Sequence, residues 1–156
     1  MPVRLVRYES RSAARTKRIA EDILRSMLPK RDKRALVLAL VGELGSGKTT
    51  FVQGLARALG IKEKVKSPTF VLSKWYKLRK KNPVFRYFVH VDAYRLGKIS
   101  EAKHLGLPEI FKDKEAIVAV EWAERVERLV PKNAIWVRFQ HKTKNTRAIS
   151  LKMSND

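Results

Sequence analysis

The stretch Ala35-Leu36-Val37-Leu38-Ala39-Leu40-Val41-Gly42-Glu43-Leu44-Gly45-Ser46-Gly47-Lys48-Thr49-Thr50-Phe51 decides the fold. Its first seven residues are apolar without alternation, the pattern of a strand buried on both faces in a parallel sheet. The next eight match G-x-x-x-x-G-K-[ST] at every fixed position. Phe51, Leu55, Ala58 and Leu59 then recur on one helical face. The glycine-rich loop thus joins a buried strand to an amphipathic helix, the setting in which such a loop holds phosphate. Its glycines let backbone N–H groups turn inward toward phosphate oxygens. The helix N-terminus adds about +0.5 of a charge at the same point. Gly42, Glu43, Leu44, Gly45, Ser46, Gly47, Lys48, Thr49 and Thr50 are therefore the candidate nucleotide-binding residues. Lys48 is expected to reach the β- and γ-phosphates, and the Thr49 hydroxyl to sit on Mg²⁺.

Upstream of this stretch, Val3 to Tyr8 alternates as an edge strand would, and Ser12 is a helix N-cap candidate. Ile19, Ile23, Leu24, Met27 and Leu28 keep helical spacing up to Pro29, and Lys30 to Arg34 is a loop. Downstream, Gly60 closes the helix, Ser67-Pro68-Thr69 is a turn, and Phe70 to Leu78 reads as a strand. Lys80 to Pro83 then turns into a second strand over Val84 to Val91. A short helix begins at Leu107-Pro108, and Ala116 to Val120 is another buried strand. A further short helix, Ala123 to Leu129, stops before Pro131. Ile135, Val137 and Phe139 form a closing hairpin with Arg147, Ile149 and Leu151 around a turn at Asn145. These elements predict an α/β fold: one P-loop NTPase-like domain over residues 1–156, its mostly parallel sheet flanked by helices and extended by antiparallel hairpins.

The 156 residues suffice for one domain with a real core. No run approaches the ~20 apolar residues of a membrane span. The N-terminus lacks the long apolar segment of a secretory signal, and there is no cysteine, so disulfides and thiolate metal sites are excluded. A cytoplasmic location is the expectation. Thirty-five Lys and Arg against fifteen Asp and Glu give a net charge of +20. The cations cluster at Lys30 to Arg34, Lys62 to Lys66, Lys77 to Lys81 and Lys142 to Arg147. Such a surface attracts a polyanion such as RNA, or it consists of well-solvated loops; no sequence rule separates the two.

A phosphate loop needs carboxylates, and in such folds they stand at the C-terminal ends of neighbouring strands. Asp92 closes the run Phe88-Val89-His90-Val91, and Glu121 closes Ala116 to Val120. His90, His104 and His141 are too widely spaced for a local metal pair; His90 is expected to be packed or hydrogen-bonded on the face opposite Val91.

These motifs, in this order, resemble the TsaE family (also called YjeE), small ATPases needed for threonylcarbamoyl modification of adenosine 37 in tRNA. The resemblance rests on the phosphate loop, Lys66-Ser67-Pro68-Thr69-Phe70, His90-Val91-Asp92-Ala93-Tyr94-Arg95-Leu96, Leu105-Gly106-Leu107-Pro108-Glu109 and Val120-Glu121-Trp122, across about residues 10 to 151. It implies ATP and Mg²⁺ as cofactors and TsaD and TsaB as partners. It implies that Lys48 and the loop amides hold the phosphates, that Thr49 and Glu121 serve Mg²⁺, and that Asp92 activates water beside the γ-phosphate. Thr69 would be a switch residue. Thr16 and Arg147 would flank the nucleotide, or be a helix-face residue and one more surface cation. Trp122 would shape the site or simply pack. The family's loop before the C-terminal arginine usually carries a glycine; here Asn145 takes the turn.

Two other readings share the phosphate loop. A small-molecule or nucleoside kinase fits the size, although no arginine-rich lid stands out. A basic RNA-binding module would keep the nucleotide site as structure only. A GTPase lacks its Asn-Lys-x-Asp element here.

Overall fold

The apolar run after Ala35 forms β2 (Leu36–Gly42), which takes the middle place in a seven-stranded sheet. The structure, a computed structural model, describes residues 3–28, 34–68, 72–79 and 84–154. In chain order the elements are β1 (Val3–Ser10), α1 (Ala13–Met27), β2, α2 (Lys48–Ala58), β3 (Ser73–Lys77), β4 (Tyr87–Asp92), α3 (Ile99–His104), α4 (Leu107–Lys112) and β5 (Ala116–Glu121). A 3-10 segment (Ala123–Leu129) and the hairpin of β6 (Ile135–Thr143) and β7 (Thr146–Ser154) complete the chain. The strand order is β1-β7-β6-β2-β5-β4-β3. β6, β2, β5 and β4 are mutually parallel; β7, β1 and β3 join antiparallel at the flanks.

Two cores follow from the period-two alternation of these strands. Leu38, Leu40, Phe88, Ile117, Val137 and Ile149 face one side and pack against Ile19, Ile23, Leu24, Phe51 and Leu55 of α1 and α2. Val37, Ala39, Val89, Val91, Val118 and Val120 face the other side, where α3, α4 and the 3-10 segment supply Ala102, Leu107, Phe111 and Val126. Every residue of β5 is buried, as its unbroken apolar run requires. No helix is long and apolar enough to cross a membrane.

The local expectations hold at several ends. Ser12 caps α1, its hydroxyl accepting from Arg15 N at 3.0 Å. The helix after the phosphate loop ends at Ala58, just before Gly60. Other details differ. β4 starts at Tyr87, not Val84, and includes Asp92 as its last residue. The short helix after Trp122 is a 3-10 segment with a kink at Val126, where φ is −126°. Helix α3 has no expected counterpart in the sequence reading. Thr69, Phe70, most of the Lys30–Arg34 loop and the Lys80–Pro83 turn lie outside the described residues.

Candidate functional site

Three strand ends meet above the sheet: β2 at Gly42, β4 at Asp92 and β5 at Glu121. Asp92 and Glu121 are direct register partners, and Leu40 pairs with Glu121 from the other side. The parallel topology thus brings three distant sequence segments to one edge. Beside it lies a cavity of about 620 Å³ lined by Leu44 to Thr50, Ser67, Pro68, Asp92, Tyr94, Glu121, Trp122 and Arg147 among others. That volume lies in the range of small-ligand sites.

The loop itself turns through Gly45 and Gly47, at φ +74° and +105°, a region that a side-chain-bearing residue enters only with strain. Gly47 is also the N-cap of α2 and offers no side chain to the first-turn N–H groups, which leaves them available to an anion. Lys48 folds back over the loop. Its Nζ donates to the Gly42 carbonyl, to the Glu43 carbonyl at 2.9 Å and to Ser46 Oγ at 3.5 Å. The ammonium also lies 4.3 Å from the centre of the Trp122 ring. Loss of hydration on burial holds Lys48 below its usual 10.5, while Glu121, Glu124, Asp92 and Glu43 pull the other way. Gly42 and Glu43 contribute their carbonyls to Lys48 and do not line the cavity.

Thr49, in the first turn of α2, donates from Oγ1 to Glu121 Oε1 at 2.9 Å. The second oxygen, Oε2, meets His90 Nε2 at 2.5 Å. Glu121 and His90 are 3% and 0% exposed, so this carboxylate is engaged through both oxygens inside the protein. Asp92 accepts from the Ser67 hydroxyl and, at 3.0 Å, from Tyr94 N. Its carboxylate is thereby tied to the turn that carries Ser67 and Pro68.

Arg147 and Thr16 lie under and beside the loop. Arg147 donates from a terminal nitrogen to the Gly45 carbonyl at 3.3 Å and borders the cavity. Its Nε is buried without a partner among the described residues. Asn145 in place of a glycine therefore leaves the arginine at the loop. Thr16 is fully buried and hydrogen-bonds Ser10 at 2.7 Å; it stands behind Gly47 and does not line the cavity. Trp122 adopts φ +57°, unusual for a bulky residue, and its ring lies 4.9 Å from that of Tyr94. That conformation turns it to the cavity wall, although it also packs on the second core. Ser67, Tyr94 and the role of His90 were missed from sequence. His90 and Asp92 are two apart on one strand and so share a face, but only the pairing of β4 with β5 shows that Glu121 is on that face too.

A parallel sheet whose central strand ends in a glycine loop, a buried lysine and a helix, with carboxylates on adjacent strand ends, defines an α/β domain of the P-loop NTPase type. Residues 10–149 match the family model "Threonylcarbamoyl adenosine biosynthesis protein TsaE", and the chain belongs to the TsaE family. That family's role is in tRNA threonylcarbamoyladenosine biosynthesis. The TsaE protein of Bacillus subtilis is 37% identical over 114 residues, covering 73% of this chain and 67% of that one. The TsaE protein of Streptomyces coelicolor is 42% identical over 95 residues, 60% of this chain and 61% of its own length. That of Treponema pallidum is 33% identical over 115 residues, with 74% and 80% covered. Among solved structures, Bacillus subtilis YdiB superposes with a TM-score of 0.74 at 28% identity, over 98% of this chain and 88% of that one.

Proposed function

We propose that this chain is a Mg²⁺-dependent ATPase subunit of the tRNA threonylcarbamoyladenosine machinery, acting with TsaD and TsaB in the cytoplasm. ATP hydrolysis would drive or reset the TsaD–TsaB assembly; the carbamoyl chemistry would stay with the partners. The observation that carries this reading is the buried Lys48 inside the glycine loop, with Thr49 and Glu121 in contact beside it.

The residues present fit the cofactors. Lys48 and the free N–H groups at the start of α2 are cationic or donating, as phosphate requires. The Thr49 hydroxyl and the Glu121 carboxylate are adjacent oxygen donors, the kind Mg²⁺ takes when phosphate and water complete its shell. Among the described residues no three His, Cys, Asp or Glu side chains converge as a protein-only metal cage, which also matches a metal held jointly with phosphate. Bound Mg²⁺ supplies charge neutralisation at the phosphate oxygens. Lys48 must turn from the loop carbonyls to the phosphates. Arg147 adds a cation at Gly45, and the Trp122 and Tyr94 rings form an aromatic wall on the cavity. Asp92, on the strand end beside Glu121, is assigned the orientation of the attacking water. Thr69 keeps its proposed switch role from the family pattern, and Ser67 provides a described link from that turn to Asp92. The exposed basic surface is proposed to contact tRNA.

Calorimetric titration of ATP into Lys48→Ala tests the site. Removing the ammonium should weaken binding at least tenfold, about 1.4 kcal/mol. Equal affinity for the native chain and the variant would remove the phosphate-loop reading.

A further inference from the structure

We propose that His90 is a positioning residue for the metal side of this site: it holds Glu121 Oε2 so that Oε1 stays turned toward Thr49. The inference rests on the nucleotide-site reading and deepens it by adding a residue outside the loop.

The geometry is specific. His90 pairs in register with Ala119, two residues before Glu121 on β5. Both side chains project to the α2 side of the sheet, and the small Ala119 leaves room for the imidazole to reach along the strand to Glu121. Nε2 meets Oε2 at 2.5 Å, while Oε1 accepts from Thr49 at 2.9 Å. Glu121 is thus anchored from two elements, β4 and α2. A glutamate has several rotatable bonds, so a single anchor would leave its second oxygen free to swing. Burial of an unpaired carboxylate oxygen would be costly, and His90 removes that cost only in this one orientation.

The ring's other nitrogen sharpens the argument. Nδ1 is buried and has no partner among the described residues. A histidine kept for core structure would ordinarily have both nitrogens satisfied, and its same-face neighbour Phe88 shows that the core accepts an apolar ring here. What His90 adds over an apolar ring is the Nε2 contact with Glu121. Orientation of a ligating carboxylate by a hydrogen-bonded neighbour is a general means of tuning metal affinity.

His90→Asn and His90→Gln separate positioning from packing. The shorter amide of asparagine places its donor near the Nδ1 position, away from Glu121. Glutamine extends its donor to about where Nε2 stands. Two quantities are measured: the Mg²⁺ concentration that half-saturates the Mg²⁺-dependent gain in binding of a fluorescent ATP analogue, and ADP affinity in EDTA by calorimetry. The expected result is a rise of tenfold or more in the Mg²⁺ midpoint for His90→Asn and a return to within threefold of native for His90→Gln. ADP affinity in EDTA should stay within twofold for both. A native-like Mg²⁺ midpoint in His90→Asn, equal damage in the two variants, or a parallel loss of ADP affinity in EDTA would overturn the assignment. So would loss of the fold in His90→Gln, since the role would then be structural. If the native chain itself gained no affinity from Mg²⁺, the metal-assisted reading of the site would fall as well, and the two failures are told apart by that control.

Discussion

Lys48 meets two opposed demands. In the proposed function it would have to be desolvated to act on phosphate with full strength, yet desolvation disfavours the charge it would need. Burial lowers its pKa below 10.5, and the nearby carboxylates of Glu121, Glu124, Asp92 and Glu43 restore only part of the shift. A nucleotide's phosphates would stabilise the ammonium and raise the pKa again. The sign follows: above the lowered pKa of the free protein, ATP binding must take up a proton, and affinity falls as pH rises. Below it, affinity from this group is constant. Calorimetry in buffers of different ionisation enthalpy should show net proton uptake once the pH rises past the lowered pKa of free Lys48, and an uptake that fades below it. Absence of any uptake that Lys48→Ala removes would contradict the assignment. The same side chain shows what was legible beforehand. Lys48 and Thr49 lie in a contiguous motif, and Asp92 and Glu121 each end an apolar run, so adjacency in sequence was enough. The contact of His90 with Glu121 was not readable. It spans two strands whose neighbourhood is set by tertiary packing, and no periodicity states which strand lies beside which.

Helices α1 and α2 meet where Gly54 faces Lys17 and Ala20. A Cβ added at Gly54 would lie 2.5 Å from the Lys17 carbonyl oxygen, 2.7 Å from Lys17 Cα and 2.9 Å from Ala20 Cβ. Two of those atoms are backbone, so the helices themselves would have to separate. Gly54→Ala gains up to about 1 kcal/mol of helix propensity, but overpacking of this kind costs about 1–3 kcal/mol and displaces rigid atoms. The clash wins, and the variant is expected to lose about 1–2 kcal/mol, a fall of roughly 2–8 °C in Tm. Thermal unfolding followed by circular dichroism checks this; an unchanged or raised Tm would mean that the helices are not held so closely. The long elements were legible because their patterns are long: Ile19 to Met27 keeps one helical face, and β2 and β5 are unbroken apolar runs. Helix α3 was not, because its six residues bury only Ala102 and its N-cap Lys98 gives no side-chain cap. The kink at Val126 in the 3-10 segment after Trp122 is likewise a backbone departure that residue type does not announce.

The chain's charge of +20 is not concentrated at the nucleotide site. Lys48 is buried, whereas Lys62, Lys64, Lys66, Lys142 and Lys144 are exposed, as are Lys74, Lys77 and Arg79 in and just after edge strand β3. Trp75, 44% exposed and on the same strand face as Lys77, adds an aromatic face of the sort on which unpaired bases stack. ATP and RNA should therefore respond differently to salt. RNA bound through exposed cations releases counterions, with about −0.7 to −0.9 in log K per log salt for each phosphate neutralised. ATP held by buried donors in a narrow loop carries few phosphates and should show a much shallower slope. Fluorescence anisotropy of an unmodified tRNA transcript, measured from about 50 to 200 mM salt, should thus show an affinity loss of about a hundredfold or more if some five phosphates are engaged. Lys74→Glu together with Lys77→Glu should reduce both the affinity and the slope while ATP affinity stays unchanged. A flat salt response would assign the basicity to solvation alone. Equal displacement of the tRNA by polyglutamate would instead point to an acidic protein surface as the partner, because a stacking contribution from Trp75 favours RNA over a simple chain of carboxylates.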